Sequence, residues 1–123
     1  MTDDEFLVRM DAVGILEDAG FRTLQARDSE EALSLLREHG ASIVLLFTDV
    51  DMPGEMNGFG LARETSRSWP HIGIIVASGR RKPNSDDLPA GAHFVDKPFS
   101  SDVVRDHLKQ MLPEGQKPEP LKD

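Results

Sequence analysis

Apolar and polar positions along the chain predict strands and helices in turn. Two uninterrupted apolar runs, 43–48 and 72–77, are short and end at turn signals. Such runs are typical of strands that are buried on both faces of a parallel sheet. The mixed segment 21–26 predicts a strand with one exposed side, and Phe94-Val95 marks a short further strand.

Apolar residues recur at helical spacing between these segments. Gly20 supplies a stop for the first helix. Asp28 followed by Glu31 is a capping pattern for the second helix, and Ser100 or Ser101 is a cap for the last. The predicted helices cover 6–19, 29–39, 58–68 and 102–112.

Strands and helices that alternate in this way favour a parallel sheet with helices on both faces. A helix is also expected between residues 79 and 92, but Pro83 and Pro89 fall there, so we predict only a short or irregular turn. No apolar strand precedes the first helix. We predict one domain over 1–112 and a loose, proline-containing tail over 113–123.

Composition narrows the class of protein. A chain of 123 residues can form one domain with a real core. No apolar run is long enough to cross a bilayer, and the acidic N-terminus does not resemble a signal peptide. The absence of cysteine is compatible with the cytoplasm, where we expect the protein to be. The formal charge of −8 argues against nucleic acid as a partner.

The candidate chemical residues follow the ends of predicted strands or precede the first helix. They are Asp3, Asp4, Asp49, Ser78 and Lys97. Clustered carboxylates repel unless a cation neutralises them, and oxygen ligands suit Mg²⁺. A lysine and a hydroxyl can hold an anionic group, and an aspartate can attack phosphorus. The pattern therefore predicts a phosphoryl-transfer site at the carboxyl edge of the sheet.

Four motifs in this order resemble the receiver domain of two-component response regulators. They are Asp3-Asp4 with Glu5, Asp49 followed by Met52-Pro53-Gly54 and Gly58, Ser78-Gly79, and Lys97-Pro98-Phe99. The resemblance runs from about residue 3 to about residue 112. It implies a flavodoxin-like, doubly wound α/β fold and a stand-alone phosphoacceptor module rather than an enzyme.

The resemblance implies a role for each carboxylate. Asp49 would accept the phosphoryl group. Asp4 would bind Mg²⁺ directly, Asp3 through water, and Asp51 through its backbone carbonyl, with Asp49 completing the set. The metal pair could instead be Asp4 and Glu5, because the usual upstream anchor of the register is absent.

The resemblance also implies a switch and a set of partners. Lys97 and Ser78 would contact the phosphoryl oxygens, and Phe94 would turn inward after phosphorylation. The junction Lys97-Pro98 resembles the family's cis-proline. The phosphoryl donor would be a sensor histidine kinase or a histidine phosphotransfer protein. A downstream protein and a homodimer are further expected partners.

One departure from the family concerns the first strand, which should precede the acidic pair. Without it, strands 21–26 and 43–48 would be left with unpaired backbone groups. Three explanations are open: the chain is shorter than the natural protein, the two strands close up, or another chain fills the gap. We favour the first.

Two other functions are open. Asp49-Val50-Asp51 resembles the nucleophile and acid pair of haloacid-dehalogenase phosphatases, and Ser78 and Lys97 follow in the right order. That family's second acidic pair should follow the lysine, whereas Asp86-Asp87 precede it. The second alternative is a receiver-like binding module that takes no phosphate, because the departure from the family distorts its pocket.

Overall fold

The computed structural model describes residues 1–52, 54–79, 87–113 and 117–118. Within them, helices and strands alternate. In chain order they are α1 (Phe6–Asp18), α2 (Ser29–His39), a 3-10 turn (Gly40–Ser42), β1 (Leu45–Asp49), α3 (Gly58–Ser68), β2 (Gly73–Ser78), β3 (His93–Asp96) and α4 (Ser101–Met111).

The three strands form one parallel sheet in the order β1-β2-β3. Asp49 pairs with Ala77, and Ser78 pairs with Asp96, so the carboxyl ends of all three strands lie at one edge. This register confirms the predicted parallel α/β arrangement. It also brings the residues that follow each strand to the same side of the molecule.

Alternating side chains of the strands build a core on each face of the sheet, as expected of strands that are buried on both sides. One core packs Leu46 and Val76 with residues of α2 and α3, including Leu36 and Leu61. The other packs Phe47, Ile75 and Ala77 with residues of α1 and α4, including Leu16 and Leu108. The sheet is therefore covered on both faces, as the doubly wound fold requires.

Helix caps follow the predicted chemistry. The Asp28 carboxylate accepts from the Glu31 N–H at 2.9 Å, and the Ser100 hydroxyl accepts from the Val103 N–H at 3.2 Å. Beyond α1, Gly20 has φ 99°, a conformation that glycine adopts without strain. The predictions of caps and of the stop after α1 are confirmed.

The predicted strand over 21–26 is wrong. Only Ala26 forms a bridge there, and its partner is Thr2, which also bridges to Thr48. Residues 21–25 form neither helix nor strand because no neighbouring strand lies beside them. The two segments do not close up: Thr2 lies between them, and a cleft continues from it.

The remaining predictions about the fold concern the segment before β3, the tail, one peptide bond and the helices. Residues 87–92 form turns, while 80–86 of the predicted irregular segment lie outside the described residues, as does most of the predicted tail. The bond Lys97-Pro98 is cis, as predicted. Among the helices described, none has both the length and the apolar character required to cross a bilayer.

Candidate functional site

Asp49 is the last residue of β1 and is 5 % exposed. Its backbone N–H donates to the carbonyl of Thr2 at 2.9 Å, and the next N–H, of Val50, donates to Ala77 at 3.1 Å. Behind it, the start of α3 approaches closely: a Cβ added to Gly58 would lie 1.9 Å from the Asp49 carbonyl oxygen. These backbone contacts hold the Asp49 carboxylate at the edge of the sheet.

Lys97 follows β3 and reaches two carboxylates at once. Its ammonium lies 2.8 Å from Asp49 Oδ1 and 3.0 Å from Asp3 Oδ2. The Lys97 N–H also donates to the Ser78 carbonyl at 3.0 Å, which anchors the turn after β3. The lysine therefore connects the end of β3 to Asp3, 94 positions earlier in the sequence.

Asp3 has no exposed surface and is held from several directions. Its carboxylate accepts from the Glu5 N–H at 2.9 Å, and its own N–H donates to the Ala26 carbonyl. The buried guanidinium of Arg9 donates to the Asp3 carbonyl at 2.8 Å and to Gln25 at 3.1 Å. Asp3 is thus fixed in position although no regular strand precedes it.

Asp3, Asp4 and Asp49 bring one carboxylate oxygen each to within 4.8 Å of one another. Asp4 is exposed, whereas the other two are buried. The three carboxylates outnumber the neighbouring cationic groups, the Lys97 ammonium and the Arg9 guanidinium. Because hard oxygen ligands and uncompensated negative charge favour Mg²⁺, the residues fit the cation that the sequence predicts.

The same contacts shift two pKa values. Burial raises the pKa of the Asp49 carboxyl, with Asp3 adding to the effect and the hydrogen bond from Lys97 opposing it. Burial alone would lower the pKa of Lys97, but hydrogen bonds to Asp49 and Asp3 outweigh it, so that pKa is raised. A cation held at Asp49 would need the ionised carboxylate, so its affinity would fall as the pH drops toward the raised pKa.

The remaining predicted site residues lie around this cluster. Ser78 is the buried last residue of β2 and is aligned with Asp96 at the same edge. Asp51 is partly buried, two positions beyond Asp49. Phe94 lies on β3 opposite Val76 and packs against the core on the α2 and α3 face. Glu5 contributes its backbone N–H to Asp3 and is not part of the carboxylate cluster.

Sequence reasoning missed three contributors to the site. Arg9 is 9 % exposed, yet a charged residue on an amphipathic helix is normally assigned to solvent. Thr2 was not identified as a residue that bridges two segments. Gly58 matched a family motif, but only the structure shows the close approach that requires glycine there.

The fold and the site together define an α/β protein of the kind that binds ligands at the carboxyl ends of parallel strands. Comparison with known proteins identifies the family. The sequence model of the response regulator receiver domain matches residues 1–109. The chain belongs to this family, and its members are signalling modules of two-component systems.

Individual relatives agree with the family match. The chain is 36% identical over 115 residues to the sensor kinase CckA of Brucella abortus, but spans only 12% of that protein. It is 28% identical to sporulation initiation phosphotransferase F of Bacillus subtilis, over 92% of this chain and 91% of the relative. The crystal structure of the CckA receiver domain matches with a TM-score of 0.77 and 30% identity, over 91% and 95% of the two chains.

These findings confirm the receiver resemblance, the fold class and the phosphoacceptor function in two-component signalling. They favour the receiver over the haloacid-dehalogenase phosphatase. The roles of single residues are not decided by similarity.

Proposed function

We propose that Asp49 accepts the phosphoryl group. One Asp49 carboxylate oxygen attacks phosphorus, an O–P bond forms, and the bond from phosphorus to the donor atom breaks. The observation that supports this role is the position of Asp49, which belongs to the carboxylate cluster and lies 2.8 Å from the Lys97 ammonium. Phosphoryl transfer depends mainly on positioning and neutralisation of charge, and these residues offer both.

The neighbouring side chains divide the remaining roles. Asp4 would bind Mg²⁺ directly, Asp3 would contact it through water, and the Asp51 carbonyl would complete the protein ligands. Bound there, Mg²⁺ would supply neutralisation of charge on the incoming phosphoryl group. The exposure of Asp4 and the burial of Asp3 against Lys97 support this division between the two acids.

Lys97 and Ser78 contact the phosphoryl oxygens after transfer. Lys97 must then exchange a carboxylate oxygen for a phosphoryl oxygen as its partner. Ser78 moves toward the new group, and Phe94 turns inward. The phosphorylated state is favoured only by contacts that are better in it than in the unphosphorylated state. Such contacts form beside the turn after β3, where the Lys97 backbone N–H donates to the Ser78 carbonyl.

The donor in this proposal is a phosphohistidine on a sensor kinase or a phosphotransfer protein. Transfer breaks the P–N bond, and the imidazole takes up a proton. The likeness to sporulation initiation phosphotransferase F, which extends over nearly the whole of both chains, supports a role in passing phosphoryl groups on.

Acetyl phosphate with Mg²⁺ tests the assignment, with intact mass as the measurement. We expect one labile adduct of about 80 Da, lost in Asp49→Asn and kept in the matched control Asp51→Asn. The yield of adduct should fall at least about tenfold in Asp4→Asn. It should not fall in Asp11→Asn, because Asp11 is an exposed aspartate on α1. A folded protein that forms no adduct would instead support the module that takes no phosphate.

The phosphatase has its own diagnostic result. Steady turnover of a phosphomonoester that disappears in Asp51→Asn would contradict the receiver assignment, because a receiver needs no acid at residue 51. We expect no turnover above that of buffer with Mg²⁺.

A further inference from the structure

Two histidines meet where β3 packs against α4, away from the carboxylate cluster. The Nδ1 atoms of His93 and His107 lie 2.7 Å apart, and the two rings meet edge to face at 83°. His93 is the first residue of β3, four positions before Lys97, so about 13 Å of extended chain separates it from the phosphoryl site. No step proposed for Asp49 requires either histidine.

The local structure explains why these rings meet. His93 lies two positions before Val95, which packs in the core on the α4 face of the sheet, so the strand directs both side chains to that face. On α4, His107 lies three positions after Val104 and next to Leu108, and both of these residues are buried in the same core. His107 therefore lies at the edge of the inward-facing stripe of α4, against β3 and still partly exposed.

The contact between the two rings constrains their protonation. A hydrogen bond between two Nδ1 atoms needs a proton on one of them and a lone pair on the other. Burial, with His107 nearby, lowers the pKa of His93, which favours the neutral form of that ring. Two neutral imidazoles offer two nitrogen ligands once the Nδ1 proton moves to the Nε2 atom of the same ring.

The spacing of the two nitrogens is close to that of neighbouring ligands on a metal ion. At metal–nitrogen distances of about 2.0 to 2.1 Å, two ligands at right angles lie about 2.9 Å apart, and two tetrahedral ligands lie about 3.3 Å apart. From 2.7 Å, the nitrogens need to separate by a few tenths of an ångström, and the rings need to tilt until both lone pairs point at the ion. Both rings are partly exposed, so an ion can enter from solvent and water can occupy its remaining positions.

We propose that His93 and His107 form a second metal site, which binds a divalent transition-metal ion such as Ni²⁺, Cu²⁺ or Zn²⁺ through the two Nδ1 atoms. Imidazole suits these ions, whereas Mg²⁺ prefers the oxygen ligands of the carboxylate cluster. Within the part of the chain that the structure describes, groups of three or more potential ligands occur only at that cluster, so the histidine site has two protein ligands and water completes it. The bound ion joins α4 to β3, the strand that carries Phe94.

The probe is Ni²⁺, added to the untagged protein with Mg²⁺ in excess so that the carboxylate cluster is exposed to its preferred ion. Ni²⁺ is paramagnetic and broadens the NMR signals of nearby amides. We expect saturable binding of one Ni²⁺ per chain, with the broadening centred on the amides of His93 and His107 and weaker at Asp49. By calorimetry, Cu²⁺ should bind more tightly than Ni²⁺, in the general order for nitrogen ligands.

Two pairs of variants test the location. We expect His93→Gln and His107→Gln each to weaken Ni²⁺ binding at least about tenfold, because each removes one of two protein ligands. His39→Gln and His71→Gln are the matched controls and should bind Ni²⁺ as the unmodified protein does. His39 is exposed at the end of α2, and the His71 ring contacts the Gly40 carbonyl rather than another histidine.

Thermal unfolding with Zn²⁺ gives a second measurement, because an ion that binds only the folded protein stabilises it. Saturating Zn²⁺ should raise the melting temperature of the unmodified protein and of His39→Gln. It should leave the melting temperature of His107→Gln unchanged.

Three kinds of result would overturn the proposal. Ni²⁺ that broadens Asp49 before His93 in the presence of Mg²⁺ would place the ion in the carboxylate cluster. Equal binding by His107→Gln, or no saturable binding by the unmodified protein, would mean that the two rings form a hydrogen-bonded pair only. One ion bound by two chains would make the site an interface between copies. The broadening in the unmodified protein decides the question even where a variant fails to fold.

Discussion

A gap lies beside β1, between segments 21–26 and 43–48, and its two ends differ sharply although the same two segments form both. At the carboxyl end, Thr2 bonds to both walls, and Asp3 reaches Lys97 within 3.0 Å. At the amino end, the backbone of Leu45 faces an open cleft. Three residues in register are enough to assemble the carboxylates, while satisfying the rest of the walls requires a longer strand.

The largest change to the assembled end should come from Lys97→Met. It leaves the buried carboxylates of Asp3 and Asp49 without the Lys97 ammonium. We therefore expect the free energy of unfolding, measured with urea, to fall by about 3 to 5 kcal/mol. Saturating Mg²⁺ should recover part of that loss because it neutralises the same carboxylates.

The pH dependence checks the same ion pair. Because the folded pKa of Lys97 is raised above 10.5, its stabilisation is complete below pH 10.5 and is lost as the pH rises through the folded value. Lys97→Met should lack this alkaline loss. Lys109→Met on α4 is the control, and an equal effect there would contradict the role of the pair.

A smaller loss is expected when the backbone behind Asp49 is disturbed. A Cβ at residue 58 would meet the Asp49 carbonyl at 1.9 Å, so Gly58→Ala must displace backbone and should cost about 1 to 3 kcal/mol. Gly14→Ala is the matched control within α1, where nothing lies within 4 Å of the added Cβ. It should stabilise the protein by about 0.5 to 1 kcal/mol, and a reversed order of the two variants would refute the close approach.

Thr2→Pro tests whether one residue separates the two ends of the gap. Proline removes the N–H that donates to Phe47 at 2.8 Å, for a loss of about 1 kcal/mol relative to Thr2→Val. The Asp49 amide should then exchange faster, while the Leu45 amide, already unpaired, should not change. Faster exchange at both amides would mean that the ends are not independent.

The last effect concerns the Met1 ammonium, which lies at the boundary between the two ends. Burial, with Arg9 nearby, lowers its pKa from 8.0 to about 6. Between those values the unfolded chain binds more protons, so stability should rise by about 2 kcal/mol from pH 6 to pH 8. Acetylation of the amine should flatten the profile.

Local patterns predicted most of the fold. The apolar runs at 43–48 and 72–77 became β1 and β2 with a shift of one or two residues, because burial on both faces leaves a continuous apolar signal. The prediction of a strand over 21–26 was wrong because a strand there needs a neighbouring strand to pair with, and the residues of the segment do not indicate whether one is present. Pairing across the sheet is a property of two segments, and the sequence pattern describes one at a time.

The candidate site was predicted unevenly for a related reason. Asp49 and Lys97 were identified because strand ends converge at one edge of a parallel sheet, and Asp3 because it precedes the first helix. Arg9 was not, because nothing in the helical pattern indicates that a guanidinium donates to the Asp3 carbonyl. The carboxylates and the lysine of the cluster had a signal in the sequence, whereas Arg9 and Thr2, which position the backbone around them, had none.

Trp69 gives the protein a built-in optical probe. It is the only tryptophan, the chain has no tyrosine, and its ring packs against Gly40 at the end of α2. Emission excited near 295 nm therefore reports the junction of α2 and α3, on the face of the sheet opposite α1 and α4.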